Sequence, residues 1–407
     1  MRILLLTQIL PYPPDAGPRV KTWHVLRHLA RRGHHLTLAS FIRHDERQHL
    51  PAVEAICPVV PVPLRRSRWR DAGYLLRSQL TGKPFLIERD HLPAMQTAVN
   101  RILTENRIDL IHADQLGMAQ FALRGAALPA VKSHPPATLF DAHNAVWLIV
   151  ERMAAANPLL RPALALEARR IKRYETSLLS RFDHTMTVTD IDRRAYLDAA
   201  GDALADRLSV IPIAADTQTL QPALRLPGSH NILTLGTLHY PPNADGIRWF
   251  VQHVYPGVRV AQPHASLTII GKHPPPDFLE FARRDPSIQV TGYVPDLDPY
   301  MAQAALMVVP VRAGGGMRVR ILEAFARAMP VVTTTVGLEG IAARPGEDVL
   351  VADTPADFQQ ATLNLLADPA LQARLAANGR RLAEEKYDWQ IVLRQMDAVY
   401  ERLAAVK

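Results

Sequence analysis

Two arginines and one carboxylate follow three consecutive glycines within a few residues: Gly314-Gly315-Gly316, then Arg318, Arg320 and Glu323. Glycines adopt backbone angles closed to other residues and let a ligand approach the main chain. Met317, Ile321, Leu322 and Phe325 recur at helical spacing, which predicts a helix over Met317–Ala328. A helix opening just after a glycine turn presents free N–H groups and a positive dipole end, a setting that suits phosphate. Two guanidinium groups there can neutralise a diphosphate, and a carboxylate one turn on can accept hydrogen bonds from ribose hydroxyls. Glu323 falls inside an apolar helix face, where an unpaired charge is costly. An ordinary tight turn followed by solvated, mutually paired helix charges is the competing reading.

The first half of the chain offers other candidates. His143 in FDAHNAVW follows the apolar run Thr138-Leu139-Phe140, so it sits at the C-terminal end of a strand. In open parallel sheets that edge binds ligands. Asp114 in IHADQLGMAQF occupies the same edge one strand earlier, either meeting sugar or acceptor hydroxyls or capping the helix that starts near Leu116. Arg19 and Lys21 could meet an anionic acceptor. Arg65, Arg66, Arg68, Trp69, Arg70, Tyr74, Leu75 and Leu76 form a basic stretch punctuated by apolar residues. Such a stretch either lies on an anionic bilayer or is a solvated basic face over a buried Trp69. His34-His35 and His44-Asp45-Glu46 lack metal-ligand spacing, so no metal centre is expected. Neither a G-x-S-x-G nucleophile motif nor a Walker A loop is present.

The elements that must carry these residues alternate. Strands are predicted at Arg2–Thr7, His35–Phe41, Cys57–Val62, Ile108–Ala113, Ala137–Asp141, His184–Val188 and Leu208–Ile211. The first is followed by a loop, Gln8–Arg19, and a helix, Val20–Arg32. Val146–Phe182 reads as helix broken into two by Pro158 and Pro162. A second series follows at Asn231–Gly236, Ser266–Gly271, Ile288–Gly292, Leu306–Val311, Pro330–Thr334 and Asp348–Ala352, and Trp389–Leu403 closes the chain as an amphipathic helix. Strand–helix alternation implies parallel sheets. The fold class is therefore α/β, with two doubly wound, Rossmann-like domains facing across a cleft: residues 1–215, a Pro-bearing linker at 216–230, and residues 231–387.

The bulk figures agree. With 407 residues, 48% of them hydrophobic and 21% charged, the chain is globular and too long for one core. One cysteine, Cys57, excludes an internal disulfide framework and points to a cytoplasmic setting. The opening MRILLLTQILPYPP lacks an A-x-A cleavage site and reads as a strand rather than a signal peptide. Residues 1–215 hold 29 Lys and Arg against 20 Asp and Glu, and the remainder 18 against 19, so an anionic partner is expected on the first half. Solubility alone is the plainer explanation of that asymmetry.

GGGMRVRILEAFARAMPVVTTTVGLEGI resembles the donor-site signature of retaining GT-B glycosyltransferases of family 4, in the branch with GGG-x-R-x-K/R-x-LEA. MRILLLTQILPYPPDAGPRVKTWHVLRHLARRGHHLTL, GTLHYPPNADGIRWF, LTIIGKHPP, VTGYVPDLDPYMAQAALMVVP and the closing YDWQIVLRQMDAVYERL are similar in order and spacing to that family. The first half is also similar, more weakly, to sugar transferases linked to exopolysaccharide and protein-sorting systems. The resemblance implies the GT-B fold, with a C-terminal helix (388–407) packing back on the first domain. It further implies transfer of a sugar from a nucleoside-diphosphate donor, UDP- or GDP-linked, to a glycan or lipid-linked acceptor, with retention. No metal or other cofactor is implied.

On that resemblance Glu323 binds the ribose, Arg318 and Arg320 face the diphosphate as catalytic charges, and the base stacks on backbone at Val294. His143 lies near the transferred sugar, and Gly17 belongs to the family's glycine-rich loop, where the first domain approaches diphosphate and acceptor; Arg19 and Asp114, read above from their positions, complete the acceptor side. The chain departs from the family in two places. The first glutamate of its E-x7-E pair falls at Gly315, and Thr237, Leu238, His239 and Pro242 stand where an arginine and a lysine are usual, which shifts weight to Lys272. Met317 and Ala328 also replace a commoner threonine and glycine. A non-catalytic nucleotide-sugar-binding or scaffold protein of the same fold is thus the alternative. An epimerase would need cleft carboxylates that are not found. A nucleic-acid binder fits the basic charge but has no recognition motif.

Overall fold

The structure, a computed structural model, describes residues 1–14 and 17–405. The chain divides into two units, Met1–Ile213 with Leu393–Lys407, and Ala214–Val392.

The first unit holds seven strands: β1 (Arg2–Thr7), β2 (His35–Ile42), β3 (Val59–Pro63), β4 (Leu110–Asp114), β5 (Ala137–Ala142), β6 (His184–Thr187) and β7 (Leu208–Val210). They form one parallel sheet in the order β3-β2-β1-β4-β5-β6-β7. β4 and β5 are buried along their whole length, as strands covered by helices on both faces must be. The core packs Leu4, Phe41, Ile111 and Phe140 against Phe121, Trp147 and Tyr196. The break at Pro158 occurs as expected, giving helices Val146–Ala156 and Arg161–Leu179. Pro162 lies in the first turn of the second helix, where no intrahelical N–H is missed.

One boundary differs. The helix expected from Val20 begins at Gly17 and runs to Arg31, because Pro18 in its first turn starts a helix rather than blocking one. Gly17 and Arg19 are therefore helical, and Asp15 and Ala16 of the expected loop lie outside the described residues.

The second unit holds β8 (Asn231–Leu235), β9 (Ser266–Ile270), β10 (Ile288–Gly292), β11 (Ala304–Val309), β12 (Val331–Thr333) and β13 (Leu350–Val351), again all parallel, in the order β10-β9-β8-β11-β12-β13. Its core gathers Ile232, Leu267, Leu306 and Val332 with Phe250, Tyr255, Phe278 and Phe358. Both sheets are doubly wound, with the strand order reversing between β1 and β4 and between β8 and β11. Ligands bind at such points, outside the C-terminal strand ends.

The segment 216–230, expected as a linker, is packed on the second unit. Ala223 N–H donates to the Arg327 carbonyl, Leu226 N–H to Ala302, and Arg225 to Ala305 and Gln372. The closing helix Trp389–Ala405 is held within the first unit by its later residues. His28 Nε2 donates to Asp397 at 2.7 Å, Tyr400 shares a 2.5 Å hydrogen bond with His112 Nδ1, and Arg402 donates to the Asp206 carbonyl. No helix among the described residues is long and apolar enough to cross a membrane.

Candidate active site

In the second unit the donor-side residues singled out in the sequence lie at the C-terminal sheet edge, on the loops after β9, β10 and β11 and on the helix that follows the β11 loop. Gly314 (φ 119°) and Gly316 (φ 77°) turn the chain through the left-handed region, which rules out helix there. The helix accordingly spans Val319–Ala326, shorter than the expected Met317–Ala328, with Arg318 as its N-cap at φ −91°, ψ 88°. At the other end Ala328 takes φ 51°, a conformation glycine adopts without strain, just before Pro330.

The two arginines behave differently. Arg318 folds back on its own loop, donating to the Gly315 carbonyl at 2.5 Å and to Gly316 at 2.9 Å. Arg320 crosses to β8, donating to the Leu235 carbonyl at 2.8 Å and to Asn243 Oδ1 at 2.6 Å. A Cβ at Gly236 would lie 2.6 Å from Arg320 Nη1, so glycine there makes room for the guanidinium. Burial, with Arg318 close by, pulls the Arg320 pKa down to about 10. The Arg320 side chain still carries its charge at neutral pH.

Glu323 is half-buried, and its carboxylate has no hydrogen-bond partner among the described residues. Burial raises its pKa, opposed by Arg327 and Arg320. A desolvated carboxylate in that state gains from any hydroxyl pair that reaches it. Lys272, after β9, lies over the Tyr293 ring at 4.5 Å, and Val294 follows Gly292 at the end of β10, half-buried. Sequence reasoning missed three supporting features: Asn243, the glycine at 236, and the pair His239–His273, whose rings are 5.4 Å apart on the β8 and β9 loops. The first two act through partners more than 70 residues away, which no local pattern reports.

In the first unit the corresponding edge holds a buried polar network. His143 Nε2 donates to Asp114 Oδ1 at 2.8 Å, and Thr22 donates to the other Asp114 oxygen at 3.1 Å. Asp114 is thus a partner of His143 and not a helix cap. Gln115 occupies the N-cap at φ 70°, with no side-chain cap. Asp141 lies 3.9 Å from His143 and is taken by Lys21, whose Nζ is 2.5 Å from Oδ1. Both ends of that ion pair are buried. Burial alone would raise the Asp141 pKa, but the Lys21 ammonium, helped by His112 and His143, holds it well below the usual carboxylate range. His112, Asp114 and Asp141 lie close enough to hold a cation, and the Lys21 ammonium stands against Asp141 beside them. This cluster escaped the sequence reading because its members are far apart in the chain.

His143 lines a pocket of about 150 Å³ together with Gln8, Leu86, Asp90, Gln115, Gly117, Asn144 and Val146. Its Nδ1 has no hydrogen-bond partner among the described residues. With Nε2–H committed to Asp114, neutral His143 leaves Nδ1 as an acceptor. The pocket's one carboxylate, Asp90, is met by Arg66, Arg89 and Gln8. A space of this size edged by carboxamides suits hydroxyl groups rather than the anion expected from the basic half. The loop is fixed from behind, with Ala145 N–H donating to Asp192 and Val146 and Trp147 N–H to Glu175, whose pKa burial pushes up to about 8. Arg19, expected on the acceptor side, pairs with Glu46.

Residues 16–214 match the profile of the glycosyl transferase 4-like domain and residues 229–368 that of the glycosyl transferases group 1. Among curated proteins the chain is 26% identical to an uncharacterized 44.6 kDa protein in the cps region of Klebsiella pneumoniae, over 39% of this chain and 42% of that one. It is 24% identical to the phosphatidyl-myo-inositol mannosyltransferase of Mycobacterium leprae, over 77% and 78%. The chain thus spans less than half the length of the first relative and over three quarters of the second. Among solved structures, sucrose-phosphate synthase from Thermosynechococcus elongatus superposes with a TM-score of 0.73 at 19% identity, over 100% of both chains. Anabaena Alr3699/HepE in complex with UDP-glucose gives 0.69 at 15%, over 99% of this chain and 100% of that one. Two glycosyl transferase profiles cover most of the sequence, and the two doubly wound sheets are those of its structural neighbours: the chain belongs to the GT-B glycosyltransferases.

Proposed function

We propose that the chain transfers a sugar from a nucleoside-diphosphate donor, UDP- or GDP-linked, to a hydroxyl of a glycan or lipid-linked acceptor, with retention at the anomeric carbon. The observation that carries this reading is the half-buried, unbonded Glu323 carboxylate beside Arg320, on the helix behind the glycine loop. That combination suits a ribose and a diphosphate side by side. Its place beside the β8–β11 switch point supports the same assignment. Relatives and neighbours bearing the names of sugar transferases, one solved with UDP-glucose, agree with it.

In the reaction the acceptor oxygen bonds to the anomeric carbon as the bond from that carbon to the diphosphate oxygen breaks. The bonding electrons leave on the phosphate, which takes the acceptor proton from the same face. Charge therefore develops on the leaving diphosphate. Arg318, Arg320 and the N–H groups of the Gly314–Gly316 loop meet it without a metal or other cofactor, as groups already in place before the reaction. Base contact falls to Val294, and Lys272 stands at the next strand end. His143, its tautomer set by Asp114, accepts a hydrogen bond from a hydroxyl in the pocket, and Gln8, Gln115 and Asn144 offer further partners there. Such donors and a single thiol fit a cytoplasmic setting and a role in polysaccharide or glycoconjugate assembly.

The loss of a glutamate at Gly315 favours a second reading, a protein that binds the donor and transfers nothing. The two separate by release of nucleoside diphosphate. Incubated with UDP- and GDP-sugars and a panel of glycan and lipid-linked acceptors, the chain should release diphosphate faster with one acceptor than without. Donor binding with no acceptor-dependent release from any pair would select the second reading, and no donor binding would remove both.

A further inference from the structure

The helix Arg68–Thr81 is amphipathic in the wrong sense for a soluble protein. Its inward stripe is Asp71, Tyr74 and Ser78, of which only Ser78 is fully buried. On the opposite side, at spacings of seven and four residues, stand Trp69, Leu76 and Leu80, exposed to 89%, 63% and 80%. At 100° per residue these three fall within about 40° of one another and about 180° from Ser78. Trp69 is therefore not the buried anchor of a solvated basic face, and that reading of the stretch is corrected. Residues 65–83 also hold six basic side chains against one acidic, Asp71. Arg66 is drawn to Asp90 and Arg77 to Glu88. By the same 100° spacing, Arg70 and Arg77 flank one side of the apolar face and Arg68 the other.

A second apolar projection adjoins it. Arg170 of the helix Arg161–Leu179 donates to Gln79 of Arg68–Thr81 at 2.9 Å. The turn that starts the Arg161 helix carries Leu159, 93% exposed, and Leu160, also exposed. Leu166, on the side of that helix away from its buried Ala168, is exposed too. Arg161, Arg169, Arg170, Lys172 and Arg173 surround them with one acidic residue, Glu167. Apolar side chains ringed by arginine match neither water nor an apolar protein core. They match the boundary between anionic headgroups and acyl chains.

We infer that this face docks on an anionic bilayer, with Trp69, Leu76 and Leu80 seated at the acyl boundary and Leu159–Leu160 as a second contact. The surface stands apart from the glycosyl-transfer reading. One consequence does rest on that reading: Leu86 and Asp90, which line the His143 pocket, belong to the helix Phe85–Asp90 that follows directly. A sugar held by a lipid in that bilayer would reach the pocket without the carrier leaving the membrane.

The test is flotation of the full chain with phosphatidylcholine vesicles with and without phosphatidylglycerol. The chain should float only with the anionic vesicles, and the bound fraction should fall as salt rises. Trp69→Ser with Leu76→Ser and Leu80→Ser should weaken binding about tenfold or more, and Arg68→Glu with Arg70→Glu roughly fivefold per charge. Leu159→Ser with Leu160→Ser should give a smaller loss. Tryptophan emission should shift to the blue on binding, and Trp69→Phe should remove the shift while the chain still floats. All these side chains are exposed, so melting temperature and nucleotide binding should not change, which separates this outcome from failure of the donor site. Absence of flotation, equal binding to neutral vesicles, or an unaltered triple variant would overturn the inference. So would a dimer that the triple variant dissociates, since a second copy would then cover the face.

Discussion

Lys21→Met offers the most quantitative test of how the first unit is held together. The variant removes the ammonium from a side chain of similar bulk, leaving Asp141 buried with the His112 and His143 rings at 3.6 Å and 3.9 Å as its remaining polar neighbours on that side. Removing one partner of a buried ion pair costs about 3–5 kcal/mol, because the other charge is left uncompensated. For a unit of this size that corresponds to a fall in melting temperature of roughly 6–20 °C. Replacing Asp141 by Asn in the same chain removes the stranded charge and should recover most of the loss.

The pH dependence gives the sign. In the native chain the folded Asp141 pKa lies below its unfolded value. Its contribution is therefore complete above the unfolded value, about pH 4, and is lost as pH falls through the folded one. Without Lys21 the burial effect prevails and the folded pKa rises above the unfolded value. The variant then gains relative stability on the acid side and loses it as pH climbs. Denaturant unfolding at about pH 5 and about pH 7.5 should accordingly show a larger deficit for Lys21→Met at the higher pH. A deficit below about 1 kcal/mol, the same deficit at both pH values, or no recovery in the double variant would refute the reasoning.

Two further substitutions separate the two ends of the proposed reaction. Gly236→Ala places a Cβ 2.6 Å from Arg320 Nη1 and 3.2 Å from Asn243 Nδ2; Arg320 must then leave the Leu235 carbonyl. Calorimetric titration should show nucleoside diphosphate binding weakened about tenfold to a hundredfold, the loss of one or two charge-assisted hydrogen bonds. Asp114→Asn keeps the shape beside His143 but replaces an ionised acceptor. It should lower kcat/KM roughly tenfold to a hundredfold while leaving diphosphate affinity unchanged, and an equal loss of donor affinity would show that the two units' sites had been misassigned.

Much of the architecture was legible in the chain because strand runs such as Leu306–Val311 and Ala137–Asp141 are short, apolar and bounded by turn residues. Parallel pairing follows once helical periodicities lie between them. The donor loop was legible in composition but not in its contacts. The sequence shows two arginines on one helix, and nothing local tells that Arg318 turns to its own loop carbonyls while Arg320 reaches β8. The same limit hid the first unit's network. Lys21 and Asp141 are 120 residues apart, and His112 and Tyr400 are 288 apart, so their pairing is a property of the fold alone. Reading Asp114 as a cap failed for a related reason: a carboxylate just before a helix is a good cap until a histidine 29 residues on offers a charge-assisted bond. Trp69 shows a different limit. Of the two readings its composition allows, the one that buries the tryptophan fails, because the inward side of its helix is polar and the ring is left outside.

The central claim is that Glu323 and the loop before it hold a nucleoside diphosphate. Calorimetric titration of UDP and of GDP into the native chain and into Glu323→Ala tests it most directly. The account predicts that at least one of the two binds the native chain and that the variant binds it about tenfold more weakly or worse, with its melting temperature little changed. Failure of both nucleotides to bind, or equal affinity in the variant, would contradict it.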